Sequence, residues 1–175
     1  MMINRFKNNL ISVIKEAQLK LGYESHSIGV NYTEPSLCHL LSCDKGEVKQ
    51  RLAAFCKDNS DFFGELTFTA RDGGYRIDVP QKGVDYVHSI LKDDEFLSVL
   101  IRMVQKPGCT VDDVLNVFYR YSDDVHFEEV QNGEFDFLIY FEDSGVDDFR
   151  YCFHDDGLQL EYHRFIKEDY LDFNF

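Results

Sequence analysis

The chain carries six histidines and five cysteines, the side chains best suited to acid–base, nucleophilic or metal chemistry. The densest arrangement lies near the C-terminal end. Arg150, Cys152 and His154 alternate along one run, and Gln159, Glu161 and His163 along the next. With Asp156-Gly157 as a two-residue hairpin turn, all six share one face. Such a face could bind a metal or move a proton, because imidazole and thiolate are metal ligands and histidine titrates near neutral pH. His126 and Glu128 make a smaller pair on another alternating run. The competing reading is the solvated outer face of a half-buried sheet, which needs polar residues in any case. Spacing alone does not define a ligand set, so no catalytic, cofactor-binding or metal-binding residue is assigned and no cofactor is expected.

Other chemical signatures are missing. Gly73-Gly74 is hairpin chemistry rather than a phosphate loop, and neither G-x-S-x-G nor H-E-x-x-H occurs. Cys38 and His39 are neighbours on a short helix and point apart, which gives no nucleophile–base pair. Cys38, Cys43, Cys56, Cys109 and Cys152 include no C-x-x-C, so reduced and mostly buried thiols are expected. Acidic runs at Asp93-Asp94-Glu95, Asp123-Asp124, Asp147-Asp148 and Asp155-Asp156 lack the spacing of a calcium loop and read as a solvated surface.

Charge divides the 175 residues. Residues 1–90 hold 11 Lys/Arg and 11 Asp/Glu, whereas residues 91–175 hold 7 and 21, so the whole net charge of −14 lies in the second half. That half repels nucleic-acid phosphates and would suit a basic protein partner. No apolar run reaches the length of a membrane span, and the first twenty residues lack a signal-peptide core. The reading is a cytoplasmic protein with no membrane contact.

The elements follow from periodicity. Phe6, Leu10, Val13, Ile14, Ala17 and Leu21 predict a helix over residues 4–21, stopped by Gly22. Ile28, Val30 and Tyr32 predict a strand. Thr33 and Pro35 open a helix that buries Leu37, Leu40 and Leu41. Ser42-Cys43 links it to a helix started by Asp44 and Glu47, with Val48, Leu52 and Phe55 inward. Asp72-Gly73 then predicts a type I′ hairpin that pairs Ala70 with Tyr75, Phe68 with Ile77 and Leu66 with Val79. Gly83 precedes a helix with Tyr86, Val87, Ile90 and Leu91 inward. Leu97, Leu100, Ile101 and Val104 mark the next helix. Thr110 and Asp113 cap another, with Val111, Val114, Leu115 and Phe118 buried. Strands are expected over residues 125–130, 135–141, 149–154 and 158–165, with Asn132-Gly133 and Asp156-Gly157 as two-residue turns. Phe135, Phe137, Ile139 and Phe141 form one apolar strand face, covered by helices on that side alone. A short C-terminal helix would dock through Ile166, Tyr170 and Phe173.

The expected fold class is α+β, with two domains over 1–92 and 93–175. The first resembles a winged helix, through the order helix, strand, helix, helix, strand, strand, the Ser42-Cys43 turn and the Asp72-Gly73 wing. The second is an acidic four-stranded antiparallel meander with helices. A winged helix implies DNA binding in many members and protein contact in many others, so fold does not decide function.

At about 100° per residue, the Asp44 helix turns Gly46, Gln50, Ala53, Ala54 and Lys57 outward, with Arg51 near the buried edge and Arg71 at the wing tip. A base-reading helix offers Arg, Asn or Gln backed by phosphate-binding cations; this face offers one Gln and one Lys. Its small residues instead permit close approach of another surface. The leading function is therefore a non-enzymatic protein-interaction or regulatory module, using Gly46, Gln50, Ala53, Ala54, Lys57 and Arg71. Nucleic-acid binding by the same half is the alternative, and an enzyme or metal site on the polar sheet face comes third.

The whole chain is also similar to a family of uncharacterised proteins from gut Firmicutes, a domain of unknown function. The similarity lies in the opening Asn9-Leu10-Ile11-Ser12-Val13-Ile14-Lys15-Glu16 helix, the Leu21-Gly22-Tyr23 stop and the Ser36-Leu37-Cys38-His39-Leu40-Leu41 segment. That resemblance implies no activity and no site residues.

Overall fold

The computed structural model describes residues 2–143 and 145–172. Among them are eight α-helices and two antiparallel sheets, a mixed α+β fold that divides into units Met1–Leu91 and Lys92–Phe175.

In the first unit, α1 (Met2–Leu21) buries Phe6, Leu10 and Ile14. Helical angle places Leu21 on the same stripe, yet it is 85% exposed, because direction alone supplies nothing to pack against. Gly22 ends the helix at φ +91°. Strand β1 (Ile28–Thr33) leads into α2 (Glu34–Leu41), where the Thr33 hydroxyl accepts the Ser36 N–H at 3.3 Å and Leu37, Leu40 and Leu41 are buried. A single 3-10 turn, Lys45–Glu47, precedes α3 (Val48–Asp58). The short α4 (Ser60–Phe63) then brings the chain to β2 (Thr67–Arg71) and β3 (Gly74–Val79). The sheet order is β1-β3-β2. Phe68 opposes Ile77 and Ala70 opposes Tyr75, the register the hairpin pattern predicts; the ladder begins at Thr67, so Leu66 lies outside it.

The turn type differs from expectation. Gly73 has φ +74°, but Asp72 is not in the left-handed region, so the turn is not type I′. Glycine at the second central position meets the type II requirement and spares Asp72 a strained backbone.

Helix α5 (Gln81–Ile90) also differs. It starts two residues before Gly83, which is buried inside it, and it buries Val84 and Val87, while Tyr86, Ile90 and Leu91 are only half-buried. A Cβ on Gly83 would lie 2.7 Å from Val79 Cγ1 and 2.8 Å from the Phe63 carbonyl oxygen. This glycine permits close packing rather than a helix start.

The second unit opens with α6 (Phe96–Val104) and α7 (Val111–Tyr121). A capping box starts α7: the Thr110 hydroxyl accepts the Asp113 N–H, and the Asp113 carboxylate accepts the Thr110 N–H at 2.9 Å. Val114, Val117 and Phe118 are its buried residues; Val111 and Leu115 are half-buried. Strands β4 (Val125–Glu129), β5 (Phe137–Phe141), β6 (Phe149–Asp155) and β7 (Leu160–Ile166) pair in sequence order. Phe96 meets Phe118 and Phe141 edge-on at 4.9 Å and Tyr151 at 5.8 Å, which locks the helices to one sheet face. Each ring so buried contributes about 1.5–3 kcal/mol.

Both remaining turns are wider than two residues. Asn132 Oδ1 accepts the N–H groups of Glu134 (3.0 Å) and Phe135 (2.7 Å). Asp156 Oδ1 accepts those of Leu158 (2.8 Å) and Gln159 (2.9 Å). Asx side chains bind the backbone directly and remove the need for a tight primed turn. Consequently Phe135 is outside β5 and packs on the opposite face, with Leu138 and Cys152. Val130, Tyr140, Phe165 and Tyr170 of α8 (Lys167–Asp172) pack against that cluster, so the sheet is covered in part on both faces. Ile166 ends β7 rather than belonging to α8; Phe173 lies outside the described residues.

Candidate functional site

Helix α3 is held from below. Val48 and Leu52 are fully buried, and Phe55 packs edge-on to Phe6 at 4.6 Å. At its start the Glu47 carboxylate accepts the Asp44 N–H at 3.0 Å. At its end the Asn59 Nδ2 donates to the Phe55 carbonyl at 3.0 Å. Those two anchors and the apolar stripe fix the opposite face toward solvent. Gly46, Gln50, Ala53, Ala54 and Lys57 are all exposed, Gly46 from the 3-10 turn and the rest from α3. Arg51 is exposed too rather than at a buried edge, and Arg71 is exposed at the end of β2. Beside Lys57 opens a shallow depression of about 390 Å³, lined by Cys56, Lys57, Ser60, Gly64, Glu65 and Leu66. It joins α3, α4 and the approach to β2, three segments that only the Ser60 turn and Gly64 (φ +76°) bring together. In the sequence, the helical pattern of Val48, Leu52 and Phe55 stops at Asp58-Asn59-Ser60, which marks a bend without its direction.

The outer face of the second sheet differs from a solvated surface. In the observed register Cys152 opposes His163 and His154 opposes Glu161, two residues from the pairing that a two-residue turn would give. A shift of two keeps every side chain on its face. Cys152 is 1% exposed, and burial, with Glu134 nearby, pushes its thiol up to about 12. A thiol so held is a poor nucleophile at neutral pH. His154 Nδ1 lies 3.1 Å from an Asp136 oxygen. The His126 ring stacks on Tyr140 at 4.6 Å, with its nitrogens 3.2 Å from Glu128 and 3.3 Å from Glu142. The Arg150 guanidinium sits 3.7 Å from the same Tyr140 ring. His126 and His154 are thus tied to carboxylates of their own rather than to one shared centre.

Two clusters escaped the sequence patterns. Asp147, expected on a solvated acidic surface, is drawn inward. Its carboxylate accepts the Tyr151 hydroxyl at 2.8 Å and the Phe149 N–H at 2.8 Å, and Arg164 Nη1 donates to the Tyr151 oxygen at 3.5 Å. Burial pushes the Asp147 carboxyl up, against the opposing pull of Arg164. Tyr151 is fully buried, and its phenol is pushed well up by that burial. In the first unit, Tyr23 lies flat on His88, with ring centroids 3.6 Å apart. Its hydroxyl and that of Ser25 (2.7 Å) both donate to one Asp85 oxygen. The Tyr23 hydrogen bond, then that of Ser25, holds the Asp85 carboxyl below its usual range. Both hydroxyls are committed to the carboxylate rather than to the imidazole, so this is not a serine–histidine relay. It straps the loop after α1 onto α5.

The cysteines are less buried than expected: Cys38, Cys43, Cys56 and Cys109 are partly exposed, and Cys152 alone of the five is buried. No helix among the described residues is long and apolar enough to cross a membrane. No curated protein and no solved structure matches the chain. The model of the family described as "Domain of unknown function, E. rectale Gene description (DUF3877)" matches residues 3–174, and the chain belongs to that family.

Proposed function

We propose that the protein is a non-enzymatic interaction module, cytoplasmic and regulatory, that binds a partner protein through the outward face of α3. The observation that carries this reading is the rigidly supported, exposed run of Gly46, Gln50, Ala53, Ala54 and Lys57 beside the depression at Cys56 and Leu66. Small side chains let a second backbone approach, and the depression offers one apolar anchor point of the kind interfaces use. The acidic charge of the second half favours a partner with a basic surface. Nucleic acid is the second reading, supported by exposed Lys49, Arg51, Lys57 and Arg71 around a helix in winged-helix order.

One experiment separates them. Tagged protein is used to capture partners from its native lysate, with and without nuclease, alongside Ala53→Glu. A protein partner retained after nuclease and lost in Ala53→Glu supports this reading. Retention unaffected by Ala53→Glu refutes the α3 face. Loss of every partner on nuclease treatment moves the function to nucleic acid, which salt-dependent duplex binding would then establish.

A further inference from the structure

Helix α2 ends in a Schellman motif with two cysteines at its closing positions. Ser42 takes the left-handed conformation (φ 50°, ψ 54°). The Cys43 N–H donates to the Cys38 carbonyl at 3.0 Å, and the Ser42 N–H to the His39 carbonyl at 3.3 Å. In this motif the residues joined by the outer hydrogen bond also bring their side chains together, usually as an apolar contact. Here cysteines occupy both of those positions. A direct backbone hydrogen bond also keeps the two Cα atoms within about 6 Å of each other, inside the span a disulfide bridges. Both side chains are partly exposed, so an oxidant can reach them.

We propose that Cys38 and Cys43 are a redox modification site, forming an intrachain disulfide across the turn between α2 and α3. The oxidant is hydrogen peroxide. One sulfur attacks the peroxide, the O–O bond breaks and water leaves with the thiol proton, giving a sulfenic acid. The second sulfur attacks the first, the S–S bond forms, the S–O bond breaks and a second water carries off the remaining proton. The disulfide clamps the end of α2 to the residue before Asp44, which starts the 3-10 turn leading into α3. Burial, with Glu34 and Asp44, pushes the Cys38 thiol up, and burial with Cys38 itself pushes up Cys43. The reaction is therefore slow, as thiols rather than thiolates predominate. This inference does not depend on what α3 binds.

The native full chain is treated with hydrogen peroxide, alkylated and digested with trypsin. Residues 21–45 carry both cysteines with no internal cleavage site. The expected product is this peptide two hydrogens lighter, with both thiols refractory to alkylation until reduced, while Cys152 stays reduced. In a glutathione couple the folded pair should oxidise about tenfold more readily than the same pair in urea, because the motif holds the sulfurs together only when folded. Cys38→Ser should leave Cys43 as an overoxidised or mixed-disulfide species. Both cysteines alkylated as before, oxidation stopping at one of them, intermolecular bridges only, or equal oxidation in urea would each overturn the proposal.

Discussion

Gly83→Ala tests the packing of the first unit most sharply, because two effects oppose each other there. Position 83 lies within α5, where alanine is favoured over glycine by about 1 kcal/mol on helix propensity. The added methyl, however, would sit 2.7 Å from Val79 Cγ1, 2.8 Å from the Phe63 carbonyl and 3.1 Å from Phe63 Cα. Val79 and Phe63 are fully buried, and two of the three atoms are backbone, so no flexible side chain can swing aside. Relief requires α5 to move off α4 and β3, an overpacking cost of about 1–3 kcal/mol that also loosens the Phe63–Tyr86 ring contact at 5.7 Å. With two contacts under 3.0 Å, one of them to backbone, the steric cost lies at the upper end of that range, about 2–3 kcal/mol, and leaves a net loss of about 1–2 kcal/mol after the propensity gain. Gly46→Ala is the matched control, since no neighbour lies within 4 Å of its Cβ. Urea unfolding followed by circular dichroism should place Gly83→Ala below wild type and Gly46→Ala within about 0.5 kcal/mol of it. Gly83→Ala as stable as wild type, or more stable, would refute the close approach of α5.

Tyr151→Phe keeps the buried ring but removes the hydroxyl that donates to Asp147, at a cost of about 1.5–3 kcal/mol at pH values where that carboxylate is ionised. The folded-state pKa of Asp147 is raised, so its protonation favours folding; that contribution is present at low pH and lost as pH rises through the folded value. Removing the hydroxyl raises the value further, so the penalty of Tyr151→Phe should shrink on acidification. A penalty that stays flat across urea melts at several pH values would refute the hydrogen bond to the ionised form. Ser42→Gly relieves a left-handed non-glycine residue and should stabilise the protein by about 0.5–1 kcal/mol in thermal melts. Destabilisation would instead mean that the Ser42 side chain supports the α2–α3 turn.

Much of this molecule is written in periodicity. The inward set Val48, Leu52 and Phe55, the hairpin register of Phe68 with Ile77, and the caps at Thr33 and Thr110 all follow from rules spanning a few residues. The exposed α3 face followed too, because an inward stripe fixes its opposite. Where a local signal had two physical solutions, the sequence could not choose. Asp-Gly and Asn-Gly promised tight primed turns, yet Asp156 and Asn132 satisfied neighbouring N–H groups with their own side chains. The loops widened, and Phe135 changed faces.

What only the tertiary structure decided were contacts between segments far apart in the chain. Gly83 reads as the residue ahead of a helix until Phe63 and Val79 are seen against it. Asp147 reads as one more surface acid until Tyr151 and Arg164 enclose it. Cys152 reads as one member of a polar sheet face beside His154 until Phe135 and Leu138 bury it. The reason is the same in each case. Periodicity fixes which way a side chain points, whereas burial, pKa and reactivity depend on what the rest of the chain places there.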